Sequence, residues 1–155
     1  EIAASGGRLR PADTVSEQEQ ARVAAAGAVA DGRFDPSVLD EFSSLGMGED
    51  FVRKFVAQCL EDVAACLKRL EAAGEAADCA AMRDHAHALK GVASNLGLVR
   101  IASQGGELMR LPEWQLRRDW KQRLEVLTHE YRLGRQAVAA RGSGDARGRD
   151  LGRES

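Results

Sequence analysis

Aromatic residues are scarce in this chain, at 5% of its 155 positions, and no stretch alternates apolar and polar residues with the period of two that a half-buried strand requires. Both absences argue against a sheet. No apolar run is long enough to span a membrane. Charge of a single sign is missing too: 22 basic residues face 24 acidic ones, which leaves no basic surplus for a nucleic-acid surface. The three cysteines, Cys59, Cys66 and Cys79, lack metal-ligand spacing. Cys59 and Cys66 fall two turns apart on an apolar helical face, so free, buried thiols in a reducing compartment are expected. No Gly-rich phosphate loop, internal repeat or signal-peptide pattern is present. The chain begins with Glu1 rather than Met, and the expectation is a piece of a longer protein.

What is present is apolar content of 44%, rich in Ala and Leu, in a chain long enough for one self-sufficient core plus tails. Residues 1–33 carry Gly6-Gly7, Pro11 and an Ala-rich piece without a long stripe, and read as a mostly disordered linker with a transient helix from Ser16 to Ala26. Residues 141–155 are poor in apolar side chains and read as a disordered tail. Between them, residues 34–140 hold five helical patterns. The first has Asp35 as cap, Pro36 at its first position, a staple from Phe34 to Leu39 and Gly46 past its end. The second opens on Glu49 and Asp50, carries Val52, Val56, Cys59, Val63, Leu67 and Leu70 on one face, and stops at Gly74. The third starts between Glu75 and Asp78 and ends near Gly97. The fourth, about Leu98 to Arg110, contains Gly105-Gly106, a poor pair for a helix. The fifth follows Pro112 with Trp114, Trp120, Leu124, Leu127, Tyr131 and Val138 on a three-four spacing. Four long amphipathic segments joined by short turns predict an all-α fold, an antiparallel up-down four-helix bundle with the short extra N-terminal helix over one end.

The third pattern contains the run His87-Ala88-Leu89-Lys90-Gly91-Val92-Ala93-Ser94-Asn95-Leu96-Gly97. At about 100° per residue, Met82, Leu89, Val92 and Leu96 share a stripe, and His87 points roughly 160° away from Leu89, toward water. Lys90, Gly91 and Ser94 lie on the same outward side, and Arg83 adds a second cation one turn before His87, where a solvated arginine is an equal reading. His85 falls about 40° from Leu89 and is expected to be partly buried and structural. A neutral imidazole is a good nucleophile near pH 7, with an ordinary pKa of about 6.5. A phosphoryl group in transfer needs positioning and neutralisation of its equatorial oxygens, which a lysine one turn on can supply. A mid-helix glycine costs about 1 kcal/mol relative to Ala. At Gly91 no cap explains that cost, but an open approach to the ring would. A surface histidine is commonly just that. A His85/His87 zinc site fails on geometry, because residues two apart on a helix face nearly opposite ways.

This run resembles the signature of histidine-containing phosphotransfer (HPt) domains, His-x-Leu-Lys-Gly followed by small residues and a later glycine, and the likeness extends over about Phe34 to Ala140. The resemblance implies a four-helix bundle with an exposed phosphoacceptor, His87, with Lys90 as charge partner and Gly91 as the access residue. Arg83 and Ser94 follow as weaker partner-binding positions. It implies no ATP site and no cofactor in this domain, with Mg2+ on the partner. The partners implied are receiver domains, one in a parent hybrid sensor kinase at the inner membrane and one on a separate response regulator, which meet a monomeric cytoplasmic domain. Some members hold the ring with a glutamine where this chain has Met109, and Gln104 lies more than a turn away, so the orientation of the ring is left open. A helical adaptor that carries no phosphate, and the dimerising histidine domain of a kinase, remain as alternatives. The second lacks the ATP-binding α/β domain that should follow it.

Overall fold

The computed structural model describes the backbone from Asp31 to Glu154, side chains as far as Arg141, and before that only Glu19, Val23, Ala26, Gly27 and Val29. The linker expected over residues 1–33, with its transient helix from Ser16, lies largely outside the described residues. Five helices follow in order: α1 (Ser37–Ser44), α2 (Glu49–Glu75), α3 (Cys79–Leu96), α4 (Val99–Arg110) and α5 (Glu113–Glu154). Among the described residues there is no strand.

Local chemistry explains where these helices begin and end. The Asp35 carboxylate accepts from the Ser37 amide at 3.0 Å and from the Ser37 hydroxyl at 2.8 Å, a local turn just ahead of α1, whose cap position falls one residue later than the sequence places it, on Pro36. Asp78 is the side-chain cap of α3, accepting from the Ala81 amide at 3.0 Å. At the far end of α3, Gly97 adopts φ +76°, and the Leu98 amide bonds back to Ala93 O at 2.9 Å. Gly97 is required twice over, because a Cβ there would also collide with the Asp35 carbonyl.

Helices α2 to α5 wind up and down around one core. Val63, Met82, Ala86, Leu89, Ala93, Leu96, Ile101, Leu116 and Leu127 are almost wholly removed from water. The Tyr131 hydroxyl donates to Leu60 O at 3.0 Å across α5 and α2. Short α1 covers one end, with the Phe42 ring 4.8 Å from Phe55 of α2.

Several expectations change. Gly74 does not stop α2. It lies inside the helix because a Cβ would collide with the Trp120 indole, and the left-handed residue that ends α2 is Ala77, at φ 54°. Trp114 is 62% exposed, with the Arg118 guanidinium 5.1 Å from its ring, and Leu116 takes the core position in that turn. Val56, Val92 and Leu124 are half-buried against the core rather than inside it. Arg33, placed at the end of the linker, is tied into the bundle: its carbonyl accepts from Val99 N at 3.0 Å, and its side chain reaches Glu130. The α5 backbone continues helically past Arg141, where the sequence pattern turned to a tail, as far as Glu154.

Candidate functional site

His87 sits in the middle of α3 and is exposed, on the face opposite Ala86, Leu89 and Ala93, which are fully buried. The apolar stripe thus fixes where the imidazole goes: burying Leu89 forces a side chain two residues earlier outward. His85 is half-buried. Lys90 and Gly91 are exposed beside His87, and nothing lies within 4 Å of where a Gly91 Cβ would be. The conformational cost of that glycine is met by no packing need of the bundle itself. The space it leaves is open to a visitor.

The neighbouring helix is held close on the other flank. A Cβ at Gly105 of α4 would lie 3.0 Å from Ala86 O and 3.4 Å from Lys90 N, so the glycine pair that weakens α4 in sequence lets it press against the α3 backbone on both sides of His87. The Lys90 stem runs along this seam: its Cδ would be 3.8 Å, and its Nζ 3.9 Å, from a Gly106 Cβ. Packing against α4 therefore holds the Lys90 ammonium over Gly106.

The two weaker positions behave differently. Arg83 is half-buried and its guanidinium donates to Leu111 O at 3.0 Å, which pins the turn between α4 and α5. The Ser94 hydroxyl donates back to Lys90 O at 2.8 Å, within its own helix. Met109, where some relatives of the motif carry glutamine, is half-buried against the core. One residue not singled out in sequence, Arg110, places its Nη1 3.4 Å from a Gly106 Cβ, on the same seam as Lys90. Its only sequence signal was a basic residue at the end of a short helix. Among the described residues, no three His, Cys, Asp or Glu side chains group as a metal site.

An outward histidine on a helical bundle, with a lysine one turn on and a vacant flank at glycine, is the arrangement the sequence motif led us to expect. The Hpt domain family description matches residues 54–137. The chain belongs to that family. It is 50% identical over 114 residues to the sensory/regulatory protein RpfC of Xanthomonas campestris pv. campestris, in each of two strains. That match covers 74% of this chain but only 16% of RpfC, so the Hpt domain described here spans a small part of such a protein's length. Its structure resembles the crystal structure of histidine-containing phosphotransfer protein B (HptB) from Pseudomonas aeruginosa PAO1, with a TM-score of 0.61 and 27% identity over 72% of this chain and 95% of that one. With both relatives, the Hpt fold supports a phosphorelay histidine-phosphotransfer intermediate. No helix among the described residues is long and apolar enough to cross a membrane.

Proposed function

We propose that His87 accepts a phosphoryl group from a receiver-domain aspartate and passes it to the aspartate of a response regulator. In the first step an imidazole nitrogen attacks phosphorus. The N–P bond forms as the P–O bond of the acyl phosphate breaks, and that electron pair returns to the aspartate carboxylate. The imidazole's own N–H proton stays on its other nitrogen or leaves to water. The second step is the reverse, with a different carboxylate. Lys90 neutralises the phosphoryl oxygens, and Gly91 keeps the approach to the ring clear. The observation that carries this reading is the pairing of an exposed His87 with empty space at Gly91, in a helix whose other residues obey helical economy.

The partners proposed are the receiver domain of a parent hybrid kinase at the inner membrane and that of a separate response regulator, met by a monomeric domain on the cytoplasmic side. Mg2+ belongs to the receiver, where the acyl phosphate forms. Incubation with a phosphorylated receiver should transfer acid-labile label to the wild-type domain and none to His87→Gln, whose melting curve should be nearly unchanged because the side chain is exposed. His85→Gln should lower the melting temperature more than the transfer rate. Label persisting in His87→Gln would overturn the assignment, and a wild-type domain that binds the receiver but takes no label would make it an adaptor.

A further inference from the structure

We infer that Arg110 is a second cation for the phosphoryl group on His87, delivered by the neighbouring helix rather than by α3 itself. The inference rests on His87 being the phosphoacceptor and adds a residue to that site. Three observations lead to it. A methyl group at Gly106 would lie 3.4 Å from Arg110 Nη1 and 3.9 Å from Lys90 Nζ, so the two cationic heads converge over one glycine of α4. That glycine belongs to the seam where Gly105 packs on Ala86 O and Lys90 N, the backbone positions that bracket His87. Finally, Arg110 and Lys90 make no ion pair among the described residues, while Glu107, one turn before Arg110 on α4, is held by Arg123 Nη1 at 2.7 Å.

Two like charges brought together without an acid between them repel unless an anion occupies the space they face. A helix side chain leans toward its own N-terminus, so Arg110 reaches back along α4 to the level of His87 rather than out past the helix end. Its planar fork can hold two equatorial oxygens at once, while Lys90 acts as a point charge on the third. Arg83, the second cation on the His87 face in sequence, where a solvated arginine is an equal reading, donates to Leu111 O.

A small phosphodonor separates an effect on the phosphoryl group from an effect on receiver docking. With phosphoramidate, an imidazole nitrogen forms the N–P bond as the donor's P–N bond breaks and ammonia leaves with that electron pair. Arg110→Met should slow His87 phosphorylation by phosphoramidate about tenfold, as expected for one charge contact at an open site, and should slow transfer from a phosphorylated receiver at least as much. Arg110→Lys should recover most of the rate, which a purely structural role would not predict, and melting curves should place all variants as folded. Arg110→Met combined with Lys90→Met should lose less than the product of the single effects, since the two heads serve one group. Wild-type rates for Arg110→Met with phosphoramidate would overturn the inference, whether or not receiver transfer slowed, because a loss confined to the receiver reaction means docking. A wild-type domain that phosphoramidate leaves unlabelled, as it must leave His87→Gln, would instead bring down the assignment of His87 on which this rests.

Discussion

Arg33, ahead of the first helix, donates from Nε to Glu130 Oε1 of α5 at 2.7 Å, and Glu130 is a buried carboxylate. Arg100 of α4 stands on its other oxygen at 3.7 Å. One acid thus joins three separate parts of the chain, and Phe34, also buried, is carried into the core beside it. Buried ion pairs add little net stability over apolar residues, but breaking one side strands the other charge. Arg33→Met should therefore destabilise the domain by about 2–4 kcal/mol in urea unfolding, and Arg33→Met with Glu130→Leu should recover most of that loss. Equal destabilisation by the single and the double variant would mean that the charge of Glu130 is not what Arg33 serves.

Two residues at the end of α2 have opposite problems. Gly74 faces the Trp120 indole with no room for a Cβ, whereas Ala77 has a Cβ in a left-handed conformation that suits glycine. Gly74→Ala should cost roughly 1–3 kcal/mol through overpacking, even though alanine is the better helix former. Ala77→Gly should raise stability by about 0.5–1 kcal/mol, the relief of strain exceeding the extra entropy of the unfolded chain. Thermal melts of the two variants should move in opposite directions. A stabilised Gly74→Ala would show that the indole can move aside freely.

Such pairs mark the boundary of what the sequence discloses. The Asp35–Ser37 turn, the cap at Asp78 and the faces of α3 rest on residues within a few positions of each other, so periodicity and local side-chain chemistry suffice to read them, and with them the exposure of His87. Gly74, Gly105 and the Arg33–Glu130 pair take their meaning from helices that arrive from elsewhere in the chain. In sequence a glycine before a turn looks like a stop, and a Gly-Gly pair looks like weakness. In the bundle both are places where another helix comes close. Trp114 falls on the three-four spacing of the fifth pattern, because the stripe after Pro112 can start in either of two registers, and the bundle selects the one beginning at Leu116. The two arginines divide in the same way. Arg83 shares a helix with His87 and is visible locally, whereas Arg110 reaches the site only through the packing of α4.

The buried thiols give a pH signature. Burial, reinforced by Asp62, raises the Cys59 pKa; burial also raises that of Cys66, with Arg69 opposing and Asp62 adding. Because the fold raises these values, their stabilising contribution is complete below the unfolded thiol pKa of about 8.5 and is lost as pH climbs through the higher folded values. Stability should thus fall more steeply above that point in the wild type than in a Cys59→Ala/Cys66→Ala variant, as melts from pH 7 to 10 would record. Below pH 8 the two curves should run parallel. Parallel curves throughout would mean that the thiols ionise in the fold as they do in the open chain.

Gly91 separates stability from access within one residue. Nothing lies within 4 Å of a Cβ added there, so the bundle has no packing objection to a side chain. Gly91→Ala should then gain up to about 1 kcal/mol from helix propensity alone, seen as a higher melting temperature. Its methyl is small enough to leave transfer from a phosphorylated receiver only modestly slower. Gly91→Gln should remain more stable than the wild type, since glutamine is also a good helix former, yet its longer side chain fills the approach to His87. Transfer from the receiver should drop steeply while labelling by phosphoramidate, which needs no protein surface, falls far less. That split between a bulky and a small donor identifies an obstruction of docking rather than damage to the imidazole. A Gly91→Gln domain that accepts from the receiver at the wild-type rate would leave the glycine without a functional reason, and a destabilised Gly91→Ala would show that the open space beside it is used by the fold itself.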